Sequence, residues 1–218
     1  MASPSLSSIP LLLLLLIPTI TADPDALQDF CVADTKSSTT FFNGLPCLNP
    51  NEVTGKHFTT SVLSTPTNTS NIFGVGTTFA STDSLPGINT LGISISRADV
   101  GVGGIVPPHS HARANEIAFV LQGKLLGGFV DSSNRFFNQT VNTGDVIVFP
   151  KGTIHFFQNL GESPASLIAA FNSQNPGVAV TPFVSFRSNP AIPPAILAKA
   201  FQISEEDVGK IRKGLGGS

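Results

Sequence analysis

The stretch GGIVPPHSHARANEIAFVLQG, Gly103 to Gly123, sets His109 and His111 one residue apart behind a double proline, with Glu116 five positions on. The chain has only four histidines, so two of them within three positions call for a cause. On an extended strand, side chains alternate faces and residues two apart point the same way. His109 and His111 therefore project together, close enough to share one metal ion. Glu116 falls on the opposite parity. The small, polar run Ala112 to Asn115 must hold a turn or bulge if the carboxylate is to join them. Pro107 and Pro108 restrict the backbone leading into the pair.

Outward from this stretch the chain breaks into short apolar runs. LGISISR (Leu91 to Arg97) comes before it. EIAFVLQG, KLLGGFV, FFNQTV, DVIVFP, TIHFFQN and SLIAAFN follow, each bounded by Gly, Pro, Asn or Asp. No helical period is visible between Leu91 and Asn172. Six or more strands at such spacing predict an all-β sandwich or barrel. Gly123 and Gly144 fall where strands must turn, and Gly152 where the chain bends ahead of His155. His155 lies on its own predicted strand, and antiparallel pairing would set it opposite the first two histidines. Three neutral imidazoles and one carboxylate, with no thiolate, suit a divalent transition metal such as Mn, Fe, Zn, Cu or Ni without choosing among them. Octahedral coordination by four protein ligands leaves two positions open for water, oxygen species or substrate. His57, the fourth histidine, has no such company and reads as a loop residue.

Composition bounds the rest. A hydrophobic fraction of 41% and a charged fraction of 12% describe a well-buried globular chain. A formal charge of -2 gives no footprint for nucleic acid or an anionic membrane. Ile9 to Ile17 is nearly unbroken Leu/Ile, interrupted by Pro10, and too short to span a bilayer. It reads as a signal peptide over residues 1–22, cut after Ala22. In a secreted chain Cys31 and Cys47 most simply form one disulfide, two buried thiols being the alternative. Asn68-Thr-Ser and Asn138-Gln-Thr match the glycosylation sequon. Residues 23–63 form an irregular, disulfide-tied segment, 64–190 the β domain and 191–218 a helical extension. In that extension Ser204 caps EEDVGKIRKG, with Asp207 in the box position and the helix ending near Gly214. With little core of its own, the extension is expected to pack on another subunit.

The larger pattern is recognisable. Gly103-x5-His109-x-His111-x4-Glu116-x6-Gly123 and Gly144-x5-Pro150-x-Gly152-x2-His155-x3-Asn159 resemble the two signature boxes of the cupin superfamily. DPDALQDFCVAD (Asp23 to Asp34) and FNSQNPG (Phe171 to Gly177) look like the germin-like proteins of plants. The resemblance covers essentially the whole mature chain. It implies a cupin-type double-stranded jelly-roll β-barrel with a small C-terminal helical extension. It also implies manganese, Mn(2+), held by His109, His111, Glu116 and His155. The implied protein is a secreted glycoprotein of the extracellular space, the apoplast, assembled as a homo-oligomeric hexamer, a trimer of dimers. No membrane span is expected.

Two activities go with the resemblance, oxalate oxidation and superoxide dismutation. In the oxalate oxidases an asparagine precedes the Pro-Pro-His stretch and another precedes the arginine matching Arg97. This chain has Val106 and Ser96 there. A buried oxalate oxygen left without a donor costs about 1–3 kcal/mol, so oxalate oxidase activity is disfavoured. Ala112, where the family commonly has proline, and Thr143, where a basic residue often precedes Gly-Asp, are further departures. Dismutation asks only for an open coordination position, a metal that cycles between two oxidation states and a proton supply. The chain has no Tyr or Trp, and its single Met is the first residue. Redox chemistry would therefore sit on the metal, with small oxygen species as substrate and hydrogen peroxide as product. The competing expectation is a non-catalytic, metal-stabilised receptor, small organic ligand-binding or storage protein.

Overall fold

In a computed structural model that describes residues 28–36 and 44–216, the chain forms ten strands among the described residues. These are β1 (Val75–Ala80), β2 (Ser94–Val100), β3 (Ile105–His111), β4 (Glu116–Gln122), β5 (Lys124–Val130), β6 (Phe136–Asn142), β7 (Val146–Phe149), β8 (Ile154–Asn159), β9 (Ala165–Phe171) and β10 (Val178–Val180). They build two five-stranded antiparallel sheets, ordered β1-β2-β9-β4-β7 and β10-β3-β8-β5-β6. This is the expected jelly roll of the cupin type. The expected signal peptide, residues 1–22, lies outside the described residues.

Alternation explains which faces meet. Glu116, Ala118 and Val120 of β4 are buried, while Ile117, Phe119 and Leu121 between them are exposed. Ala118 and Val120 pack with Val100, Leu125, Phe149, Phe157 and Leu167 into one core between the sheets. Burying each large apolar side chain of this core contributes about 1.5–3 kcal/mol. Gly123 alone separates β4 from β5, where the chain passes from one sheet to the other. Its φ is +95°, and a Cβ there would sit 2.6 Å from the Ala165 Cβ, so no other residue fits without strain.

Two elements were not visible in the sequence. β1 is VGTTFA, with too little apolar alternation to announce itself, yet it pairs with β2 from Val75↔Val100 to Ala80↔Ile95. β10 has three residues, pairs with β3, and runs into helix α1 (Thr181–Phe186). Conversely, LGISISR reaches too far back, since β2 starts at Ser94. Helices α2 (Pro194–Phe201) and α3 (Glu205–Gly214) follow. The Ser204 side chain accepts the Asp207 N–H, and the Asp207 carboxylate accepts from Ser204 in return. The three helices share a small core of Phe186, Leu197 and Val208. No helix among the described residues is long and apolar enough to cross a membrane.

Cys31 and Cys47 form a disulfide that ties the N-terminal segment to itself. The segment is also anchored by fully buried Asn89, whose Oδ1 accepts the Leu45 N–H and whose Nδ2 donates to the Leu45 carbonyl. Closing a loop with a sequence separation of 16 removes chain entropy from the unfolded state worth about 3 kcal/mol. The double variant Cys31→Ser/Cys47→Ser is expected to melt about 6–12 °C lower in a calorimetric scan, with the β domain intact. An unchanged melting temperature would show that the Asn89 anchor holds the segment alone.

Candidate metal centre

Alternation along β3 buries Pro107, His109 and His111 on one face. β3 pairs with β8 so that His109 lies directly opposite His155. Antiparallel pairing thus joins histidines 46 positions apart without any long-range accident. The register shifts between Val106 and His109, at the two prolines that cannot donate to the ladder. That irregularity lets Val106 and His109, three residues apart, line the same cavity.

Glu116 arrives from the other sheet. After His111 the chain bends at Ala112 and Arg113 and crosses the sandwich, so Glu116 opens β4 facing the histidines. The required turn is present, and it changes sheets rather than parity. Four ligand atoms, one each from His109, His111, Glu116 and His155, lie within 4.8 Å of one another, and all four residues are buried.

The hydrogen bonds select the coordinating atoms. His109 Nδ1 lies 2.9 Å from the Pro107 carbonyl, and His155 Nδ1 lies 2.9 Å from the Thr153 carbonyl. A carbonyl only accepts, so each Nδ1 carries the proton and each Nε2 turns a lone pair inward. Such backbone contacts orient metal-binding imidazoles. Glu116 Oε2 then sits 2.9 Å from His111 Nε2 and 3.1 Å from His155 Nε2. The His155 contact becomes favourable once a proton or a cation lies between the two atoms. Both ring nitrogens of His111 are buried without a hydrogen-bond partner, because the short Nε2 contact is not aligned. A buried group of acceptors converging on one point is satisfied by a cation. The residues therefore fit a divalent metal ion.

Burial makes His109 hard to charge, and His155 adds to this against the pull of Glu116, so its pKa is lowered to about 4. Burial pushes the Glu116 carboxyl up, but His111 and His155 outweigh it and hold it at about 2. Near neutral pH the site therefore offers an uncharged His109 and an ionised Glu116, the forms a metal needs. The metal-free protein should be acid-labile. As pH falls below 6.5 the unfolded chain protonates His109 while the folded chain does not until about 4, so stability is lost across that window. Glu116 adds a second loss between 4.5 and about 2, where only the unfolded chain takes up its proton. The His109 part corresponds to about 3 kcal/mol. A metal-free melting temperature that stays flat from pH 7 to pH 4 would contradict this.

Apolar rings wall the cluster. Phe149 and Phe171 are the β7 and β9 partners of Glu116. Phe149 stacks on His155 with centroids 4.4 Å apart, and Phe171 lies 4.8 Å from His111. Sequence reading missed both, although Phe149 immediately precedes Pro150 and Phe171 opens FNSQNPG. Asn159 is structural, its buried Nδ2 lying 2.9–3.0 Å from the carbonyls of Val100, Gly101 and Ser163. His57 is apart from the site, in a short turn where its Nδ1 accepts the Thr54 N–H.

The cluster opens on a cavity of about 610 Å³ lined by both sheets and by the ends of α1 and α3. Ser96 and Val106 are part of its wall, together with Phe157, Leu167 and Phe171. Few polar groups face it. Asn68 and Asn138 lie away from it, both exposed, in the loop before β1 and on β6.

The cupin family pattern matches residues 61–209. Germin-like protein 5-1 of Oryza sativa subsp. japonica is 45% identical over 219 aligned positions, covering 99% of this chain and 98% of the relative. Germin-like protein subfamily 2 member 1 of Arabidopsis thaliana is 46% identical, covering 97% of each chain. An oxalate oxidase solved in complex with the substrate analogue glycolate superposes with a TM-score of 0.86 at 39% identity, over 90% of this chain and 100% of the other.

Proposed function

The chain belongs to the germin-like proteins of the cupin superfamily, and from there we propose that it is a secreted, manganese-dependent redox protein of the plant apoplast. The reaction is dismutation: two superoxide ions and two protons give dioxygen and hydrogen peroxide. The observation that carries this reading is the buried cluster of unsatisfied acceptors at the base of an open, donor-poor cavity. His109, His111 and His155 would hold manganese through Nε2 and Glu116 through its carboxylate, and the metal supplies a centre that cycles between two oxidation states. The carbonyls of Pro107 and Thr153 hold two of the rings in the coordinating tautomer. Phe149 and Phe171 fix ring orientation and keep bulk water from two sides.

Oxalate is a poor fit. Val106 and Ser96, which replace the asparagines expected of oxalate oxidases, both line the cavity. Valine offers an incoming dianion no donor, and each oxygen left unpaired costs about 1–3 kcal/mol. Activity on the two substrates therefore separates the assignments. Metal-loaded protein is expected to consume superoxide well above free manganese and to leave oxalate unconsumed. Superoxide consumption no faster than free manganese would overturn the redox reading. Elemental analysis of protein from its native source tests manganese itself.

A second reading, a non-catalytic receptor or storage protein, is favoured by the cavity volume. About 610 Å³ is ample for an organic ligand and far more than dioxygen species need. Exposed Ile117, Phe119 and Leu121 on β4 and Val146 and Val148 on β7 make an apolar outer face. That face supports assembly into the hexamer, and sedimentation measures it directly. Glycans at Asn68 and Asn138, read by mass spectrometry, test secretion.

A further inference from the structure

The cavity runs from the cluster to the C-terminal helices, where it is bordered by Arg187, the residue that caps α1, and Lys213, in the last turn of α3. Both are exposed in the single chain, and neither is ion-paired among the described residues. Arg187 rests over the Phe183 ring, its Cζ 4.9 Å from the ring centroid, which limits where the guanidinium can go. Between these two cations and the cluster the wall is mainly apolar, with Val106, Phe157 and Leu167. Among the described residues the only carboxylate lining the cavity is Glu116, at its base, where a bound metal would offset its charge.

We propose that Arg187 and Lys213 form a cationic mouth that draws small monoanions into the cavity and excludes neutral molecules of similar size from the same advantage. The proposal rests on the reading of the cluster as an open metal site, and it names residues that select the substrate by charge. The whole chain carries a formal charge of -2, so long-range attraction of anions cannot come from the molecule as a whole. It must come from charge placed at the opening. Low-dielectric walls focus such a field, and focused fields raise association rates by about 10- to 10³-fold. The helix C-termini beside both cations carry partial negative charge and reduce the effect without reversing it. The wall between mouth and metal has few donors, so the mouth speeds arrival rather than holding the anion there.

The test uses cobalt(II)-loaded full-length protein and azide, whose binding to the metal is followed by visible absorption and requires no turnover. Wild-type protein should bind azide with an association rate that falls as salt rises. Arg187→Glu/Lys213→Glu should lower that rate at least about tenfold at low salt and reverse the salt dependence. The two proteins should converge near 1 M salt, where the screening length is about 3 Å. Arg187→Lys/Lys213→Arg should behave as wild type. Because glutamate at two helix C-termini is unfavourable to the helix dipole, the charge-reversed protein should melt only a few degrees below wild type. Equal azide rates in wild-type and charge-reversed protein would overturn the mouth, and so would azide that does not bind at all. Superoxide assays on the same proteins separate the two ideas. Charge-dependent azide binding without superoxide consumption sinks the dismutase reading and leaves the mouth standing. Superoxide consumption with charge-independent azide binding does the reverse.

Discussion

Glu116→Gln is expected to abolish stoichiometric metal binding. In the parent site the carboxylate oxygen lies 2.9 Å from His111 Nε2 and 3.1 Å from His155 Nε2. A glutamine has nearly the same volume and keeps the packing around the site. The substitution removes the anionic member of the cluster found among the described residues. Disturbing groups one shell farther out typically costs 10- to 100-fold in metal affinity, and loss of the charge itself should cost at least about 100-fold. By mass action that removes about 2.7 kcal/mol of the metal's stabilisation. The measurements are metal content after dialysis and the melting temperature with and without metal. A Glu116→Gln protein that retains one metal ion per chain would take the carboxylate out of the site.

Phe149→Ala should be the most destabilising single change near the cluster. The ring is 1% exposed, stacks on His155 and meets Phe157 edge to face with centroids 5.2 Å apart. Removing it leaves a void beside a histidine and exposes Glu116 from one side, at about 3–5 kcal/mol. For a chain of this size the melting temperature should fall by about 6–20 °C. Metal affinity should also fall, because His155 loses the ring that fixes its plane. Phe149→Leu restores most of the volume but not the flat stacking surface. It should recover most of the stability and less of the affinity. If Phe149→Ala costs less than about 1 kcal/mol in denaturant unfolding, the two sheets relax into the gap and the wall is not structural.

The histidine pair was legible because period-two alternation is a local property of any strand. His155 was legible as a strand residue that antiparallel pairing could bring opposite the pair, while its exact partner is set by register. Glu116 shows the limit most clearly. Parity along the sequence placed it on the wrong face, and a turn was needed to recover it. The structure makes that turn a passage between sheets, which no local pattern encodes. β1 was missed for a related reason. Its glycine and threonines carry little hydrophobic signal, and it exists because the edge of β2 supplies a partner. Phe149 and Phe171 looked like ordinary core residues, and only their pairing with Glu116 makes them walls of the site.

By itself the sequence determined the strand-rich architecture, the glycine turns, the C-terminal helix with its Ser204 cap and the pairing of His109 with His111 on one strand face. Each of these depends on neighbours within a few positions, where backbone geometry and side-chain alternation act directly. Tertiary structure alone decided that the carboxylate faces the rings from the opposite sheet, that Val106 and Ser96 share one cavity with them, and that Arg187 and Lys213 border its opening. Those facts require segments up to 117 residues apart to meet, from Ser96 to Lys213, and only the packing of two twisted sheets and three helices brings them together.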